Sequence, residues 1–383
     1  MYLKSYMLNS FLISVIKVIY DKIPFSVVDR LQTSFISWYL IKKVLTCLFI
    51  CPFEHTKELG DLNNGQTLYI IGRESWSGNG LFSCVLGALS AIEYAVDRGY
   101  LPLVDMKSSP NLYLYQDEIG LVNAWEYYFK QPACILSGKE YTLDDAYNSS
   151  KVILNTADNG GFVQALYPTT SPSILSKNNE LVKHWSKIFR KYIHLNDETL
   201  HYINTQYNNI ISESDRVIGL CVRGGAYRFS NPYGHPIQPE ISEIIVNVRS
   251  LLELWECNKI FLTTDDVDIL QIFKDEFGDS VVSSNRRYTK YVVCETQDGN
   301  YIKHITPPER KNGKYLDGLE YLTDIVILSR CNCIVGSTTC GTIAAVLMSD
   351  GFEHSYFFNC GLYGITNDVK CGKYSADIDE WVV

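Results

Sequence analysis

Apolar residues along this chain fall into short unbroken blocks and longer stretches where they recur at helical spacing. Thr67-Leu68-Tyr69-Ile70-Ile71 is a block of strand length, and a helix is predicted from about Leu81 to Asp97. Leu101-Pro102-Leu103-Val104-Asp105 reads as the next strand, which makes a βαβ unit. A second series starts near Arg216, with a strand over Val217–Val222, a helix around Ile241 to Leu254 and a strand over Lys259–Thr263. A helix bearing Ile269, Leu270, Phe273 and Phe277 follows. In the stretch Asp317 to Met348, Leu319, Leu322, Ile325 and Val326 share one helical stripe, interrupted by Asp324. A short strand, Cys333-Ile334-Val335, then runs into Ser337-Thr338-Thr339 and a small-residue helix beginning near Gly341. Strands alternating with helices predict parallel sheets.

The ends of the chain's first half are less regular. From Asn111 to about Leu200 the pattern is mixed apart from an amphipathic helix over Leu181–Tyr192, and acceptor-binding loops and structural aromatics fit the region equally well. Residues 1–57 form an apolar leader. Leu8, Phe11, Leu12, Val15, Ile16 and Ile19 make one helical stripe, while the stretch Phe35 to Phe53 is cut by Lys42 and Lys43. Neither offers the roughly 18 uninterrupted apolar residues of a spanning helix. The start lacks a small-x-small cleavage site, so a secreted protein fits less well than two equal readings, packing on the main body or peripheral attachment to a membrane.

Composition narrows the class. The 383 residues are 46% hydrophobic and 20% charged, as expected of a globular protein large enough for two domains. A net charge of −9 argues against nucleic acid as a partner. That charge is uneven: residues 1–57 carry +4 and the rest −13, a basic apolar leader on an acidic body. Of the twelve cysteines, Cys221, Cys331, Cys333 and Cys340 sit in apolar runs and no CxxC pair occurs, which reads as reduced core residues in a cytoplasmic protein.

Three apolar strands finish in residues able to hold a ligand: Arg223-Gly224-Gly225, Thr264-Asp265-Asp266 and Ser337-Thr338-Thr339. Ligands of open parallel sheets bind outside the carboxyl ends of strands. A guanidinium grips a diphosphate, a carboxylate accepts from a ribose or base edge, and hydroxyls at a helix start take a phosphate. Each residue alone has a plain alternative, Arg223 in a surface ion pair and the others as helix caps. Together they favour a nucleoside-diphosphate pocket. The glycine-rich loop from Gly72 to Gly80, with Arg73, Glu74 and Asn79, ends the first strand in a similar position.

These motifs, in this order, resemble those of the fucosyltransferase superfamily, particularly the α1,6- and protein-O-fucosyltransferases. A strand ending HVRRxD or HxRxGD is similar to Cys221-Val222-Arg223-Gly224-Gly225-Ala226, with His235-Pro236-Ile237 downstream. The strand followed by ATDD is similar to Thr263-Thr264-Asp265-Asp266. LDIHFLSxADxxVxTxSS resembles Leu322-Thr323-Asp324-Ile325-Val326-Ile327-Leu328-Ser329 with Val335-Gly336-Ser337-Thr338-Thr339. Asn285 and Arg286-Arg287 match the connecting region loosely. The resemblance covers about residues 215–350.

It implies a GT-B-like α/β fold, two Rossmann-like domains facing across a cleft behind a helical apolar leader. The expected divisions are 1–57, an acceptor-side domain 58–210 and a nucleotide-sugar domain 211–383. The implied reaction is inverting, metal-independent transfer of a sugar, first of all fucose from GDP-fucose, to a glycan or lipid-linked glycan in surface polysaccharide synthesis. No separate cofactor is implied. Arg223 would hold the diphosphate and assist its departure. Asp265, Asp266 and Asp324 would bind guanosine or position Arg223, Ser337, Thr338 and Thr339 would bind phosphate, and His235 and Asn79 would complete the donor site. Glu74 is the candidate acceptor base, with Asp105 and Glu118 as alternatives. The chain departs from the pattern at Cys221, Gly224 and Ala226, and Arg228 is the candidate to replace the missing second cation. Two other readings compete. Asp266-Val267-Asp268 spells the DxD of a metal-dependent transferase, although Asp268 should fall inside the next helix. The reduced arginine motif also suits a non-catalytic sugar- or nucleotide-sugar-binding protein.

Overall fold

A computed structural model describes residues 54–62, 65–72, 78–155, 175, 179–225, 228, 231, 235–296, 299–363 and 372–375. The leader helices expected before residue 54 lie outside the described residues, as does Glu74. Among the described residues no helix is long and apolar enough to cross a membrane. The chain forms two compact units, which are taken in turn.

The first unit comprises the described residues of Met1–Thr170 and Asn179–His194. Its strands are β1 (Glu54–Lys57), β2 (Leu68–Gly72), β3 (Leu101–Asp105) and β4 (Val152–Asn155). They run in the order β1-β4-β2-β3, with β2 parallel to β3 and β4 and with β1 antiparallel to β4. Leu68, Tyr69, Ile70 and Ile71 of β2 are all buried, as expected of a central parallel strand covered on both faces. Helix α1 (Leu81–Val96) returns from β2 to β3, and the chain turns after it at Gly99, whose φ of +72° favours glycine. Two short helices, α2 (Pro132–Ser137) and α3 (Leu143–Tyr147), precede β4. Helix α4 (Glu180–Tyr192) is capped by Asn179 and buries Leu181, Val182, Trp185, Phe189 and Tyr192.

The region whose pattern was mixed is organised by buried amides rather than by apolar periodicity. Asn123 accepts from the Met106 N–H at 3.0 Å and donates to the Val104 carbonyl at 2.9 Å. Gln131 accepts from the Val104 N–H at 2.8 Å and donates to its carbonyl at 3.0 Å. They satisfy the free edge of β3, where unpaired backbone groups would be costly.

The second unit comprises the described residues of Ser171–Asn178 and Leu195–Val383. The chain thus passes into it at 194–195, ahead of the expected division at 210–211, because α5 (Asp197–Ile210) bonds to this unit: Asn204 accepts from Arg330 at 2.9 Å. The series then runs β5 (Val217–Cys221), α6 (Ile241–Leu254), β6 (Lys259–Thr263), α7 (Val267–Phe277) and β7 (Val281–Val282). A hairpin of β8 (Lys290–Thr296) and β9 (Gly299–Ile305) follows, a departure from the expected strand–helix alternation. After it come α8 (Gly313–Leu328), β10 (Cys333–Ser337), α9 (Cys340–Met348), β11 (His354–Asn359) and β12 (Gly372–Ser375).

The sheet order is β12-β11-β10-β5-β6-β7, parallel throughout except for β12. Ile218, Leu220, Ile260, Leu262, Cys333 and Val335 pack with Ile244 and Val248 of α6 and with Ile269 and Phe273 of α7. From β5 the chain moves outward through β6 and β7, then returns to lay β10 on the other side of β5. The order therefore reverses between β5 and β10, a switch point of the kind at which open α/β sheets bind ligands. Of the cysteines in the apolar runs, Cys331 and Cys333 are buried, whereas Cys221 and Cys340 are only half-buried.

Candidate functional site

The loop after β5 is held by the two carboxylates that end β6. Val222 is still tied to the sheet, its N–H donating to the Thr263 carbonyl at 3.0 Å, and Arg223 then emerges exposed. The next two backbone amides are taken in succession: Gly224 N–H donates to Asp265 Oδ1 at 2.9 Å and Gly225 N–H to Asp266 Oδ2 at 3.0 Å. Both positions require glycine through close approach. A Cβ at Gly224 would stand 2.2 Å from Asp265 Oδ1, and one at Gly225 2.7 Å from the Tyr291 Cβ. Gly224 is the position where the resembling motif carries its second arginine, and the fold leaves no room for one.

The two aspartates divide the work. Asp266 is buried, and its Oδ1 caps α7 by accepting from the Asp268 and Ile269 amides at 2.9 and 3.4 Å. Burial raises its pKa against the lowering effect of these hydrogen bonds. Its DxD partner Asp268 lies in the first turn of α7 and pairs with Lys290 at 3.4 Å, so both carboxylates are engaged by protein groups. Asp265 is half-buried and accepts at Oδ2 from the Tyr291 hydroxyl at 2.7 Å. Burial works to raise its pKa, but the charges of Arg223 and Arg286 and the Tyr291 hydrogen bond hold it below the ordinary carboxylate range. Burial and Asp265 in turn push the Tyr291 phenol up.

Asp324, the acidic interruption in the apolar stripe of α8, is 1% exposed. It accepts from the Ser284 hydroxyl and forms an ion pair with Arg286. Burial raises its pKa, and Arg286 and Ser284 oppose that. Its partner is therefore Arg286, in the loop between β7 and β8. Arg286 lines a cavity of ≈ 330 Å³ with Asp265, Tyr291, Asp317 and Glu320.

At the end of β10, Ser337 and Thr338 are buried, and Thr339 caps α9, its Oγ1 accepting from the Thr342 amide at 3.2 Å. The amides and positive dipole end of α9 thus open at the switch point. Tyr321 of α8 packs against this helix's first turn, where a Cβ at Gly341 would come within 2.7 Å of its hydroxyl. Burial pushes the Tyr321 phenol up, and Arg223 and Arg286 both draw it down. His235 is half-buried; burial and then the Arg223 charge lower its pKa.

Other candidates are used elsewhere. Arg228 donates to the carbonyls of Arg223 at 2.9 Å and Pro239 at 2.7 Å, binding the loop to itself. Asn79 stands before α1 in the first unit, its carbonyl accepting from the Cys84 thiol at 3.8 Å. Asp105 is buried and saturated, by the Tyr147 hydroxyl at 2.6 Å and by the Lys107 and Ser108 amides at 2.8 and 2.9 Å. Glu118 accepts from the Tyr115 amide at 2.7 Å. Tyr291, Tyr321 and Ser284 were not expected. Besides the loose match at Asn285 and Arg286-Arg287, the sequence signal for these residues is Asp324 itself, since a carboxylate on a buried helix face needs a cation or hydroxyl against it.

Solved structures similar to this chain are fucosyltransferases. NodZ alpha-1,6-fucosyltransferase, the Bradyrhizobium protein, co-crystallised with GDP, matches at 15% identity and a TM-score of 0.46, over 77% of this chain and 96% of that one. FUT1 of Arabidopsis thaliana in complex with GDP matches at 13% and 0.42, over 87% and 77%. POFUT1 in complex with GDP matches at 11% and 0.41, over 81% and 100%. No family model and no curated protein matches the chain.

Proposed function

We propose that the second unit binds a nucleotide-sugar donor and that the chain is a GT-B-type glycosyltransferase. The observation carrying the reading is the pairing of two carboxylates with two successive amides directly after Arg223, at the end of β5, whose neighbour β10 leads into the capped start of α9. A cation fixed by backbone and a helix N-terminus are what a departing diphosphate needs, because both stabilise charge that grows in the transition state. The acceptor hydroxyl oxygen attacks the anomeric carbon, the bond from that carbon to the diphosphate oxygen breaks with its electron pair, and the hydroxyl proton passes to a base. Glu74, two residues past β2 in the sequence, is the candidate base. Attack opposite the leaving group inverts the anomeric centre. GDP-fucose is the first donor to test and a glycan the first acceptor, with a role in surface polysaccharide synthesis at the cytoplasmic face of a membrane.

The test is donor turnover, by transfer or hydrolysis, in the full chain. Arg223→Ala is expected to lower it by about 100-fold or more with an unchanged unfolding curve. Full turnover in that variant would remove Arg223 from the phosphate site, and binding without turnover in the wild type would favour the non-catalytic reading.

A further inference from the structure

Three guanidinium groups gather near the end of β6, and they are not equivalent. Arg287 is used up: its Nη2 donates to the Pro307 and Pro308 carbonyls and its backbone N–H to Glu320 at 3.0 Å. Arg310 pairs through its two Nη groups with Glu320 at 2.6 Å and Asp317 at 3.0 Å, and among the described residues its buried Nε has no acceptor. Arg286 differs. Its Nη1 pairs with Asp324 and its Nε donates to the Arg287 carbonyl at 3.3 Å, while among the described residues nothing accepts from its Nη2. The side chain is 13% exposed and lines the ≈ 330 Å³ cavity with Asp265 and Tyr291.

The support behind Arg286 is buried. Asp324 sits on a buried helix and is held on its other side by Ser284. A buried carboxylate paired at one edge of a guanidinium fixes the direction of the remaining edge. Arg286 lines the cavity beside Asp265, whose carboxyl the charges of Arg223 and Arg286 both lower. Asp265 is itself bonded to the Arg223 loop through the Gly224 amide.

We propose that Arg286 is the second cation of the donor site, its Nη2 edge, aimed by Asp324 and Ser284, binding the diphosphate opposite Arg223. It supplies from the β7–β8 loop the charge that position 224 has no room to carry. This rests on the donor-site reading. Asp324 is then a positioning residue, acting through Arg286.

The experiment measures binding of GDP, ADP and UDP, each beside its monophosphate, to the full chain by calorimetry. The variants are Arg286→Lys, which keeps a charge against Asp324 but loses the fork, and Arg286→Gln with Asp324→Asn, which removes cation and buried anion together. The double variant is expected to lose roughly 10- to 100-fold in affinity for whichever diphosphate the wild type binds. The ratio of diphosphate to monophosphate affinity should fall with it, and Arg286→Lys should fall between. Wild-type affinity in the variants, or a proportionate loss for diphosphate and monophosphate, overturns the assignment and leaves the donor site standing. If the double variant fails to fold, the lysine variant reads the same ratio. A wild type that binds none of the three diphosphates overturns the donor-site reading and this inference with it.

Discussion

His235 has its pKa lowered below 6.5 by burial and then by Arg223, so the imidazole is neutral in the fold where it would begin to protonate in the unfolded chain. As pH falls below about 6.5 the unfolded state takes up this proton first, so the stability from the neutral ring is present above that pH and lost below it. A bound diphosphate reverses the electrostatics, because its charge offsets that of Arg223. The His235 pKa should therefore rise on adding GDP, and by linkage GDP should bind more tightly as pH falls through this range. NMR titration of the ring with and without GDP checks it, and superimposable curves would detach His235 from the anion. The same scale accounts for Asp324. Sequence placed it correctly as an anomaly on an apolar helix, but its cation lies in a loop whose course no local pattern specifies.

The β5 loop depends on contacts between elements rather than on its own propensity. Gly224 and Gly225 leave no Cβ where Asp265 and Tyr291 close in, and Asp266 ties the same loop to the cap of α7. Gly224→Ala would force a Cβ against a short carboxylate already bonded to Tyr291. It is expected to cost about 1–3 kcal/mol, the usual range for overpacking, and to weaken nucleoside-diphosphate binding as the Gly224–Asp265 bond opens. Urea unfolding with calorimetry separates the two effects; unchanged values for both would mean that the loop relaxes freely. The strands and helices carrying the site were legible, with α6, β3 and β6 falling at their expected limits, because their apolar runs are covered on both faces or along one stripe. The β8–β9 hairpin was not. Tyr291 of β8 reaches Asp265 through its hydroxyl, and hydropathy does not register a hydrogen bond between distant segments.

For the whole molecule, the reading that Arg223, Arg286 and the start of α9 carry the leaving charge predicts a metal-independent reaction. Turnover in millimolar EDTA should match that in buffer, and a loss restored by Mn²⁺ would favour the DxD alternative. The sequence by itself determined the α/β class, the three strand ends and the acidic body, since burial, strand length and charge are local properties of the chain. Only the tertiary structure decided which of those residues share a site. Asp266 became a cap and loop anchor, Asp324 the support of Arg286, Arg228 a backbone brace and Asp105 a saturated carboxylate. The reason is that a polar side chain's role depends on which donors and charges the fold brings against it. Several of those partners lie far away in the chain, Gly225 from Asp266, Arg286 from Asp324 and Tyr147 from Asp105.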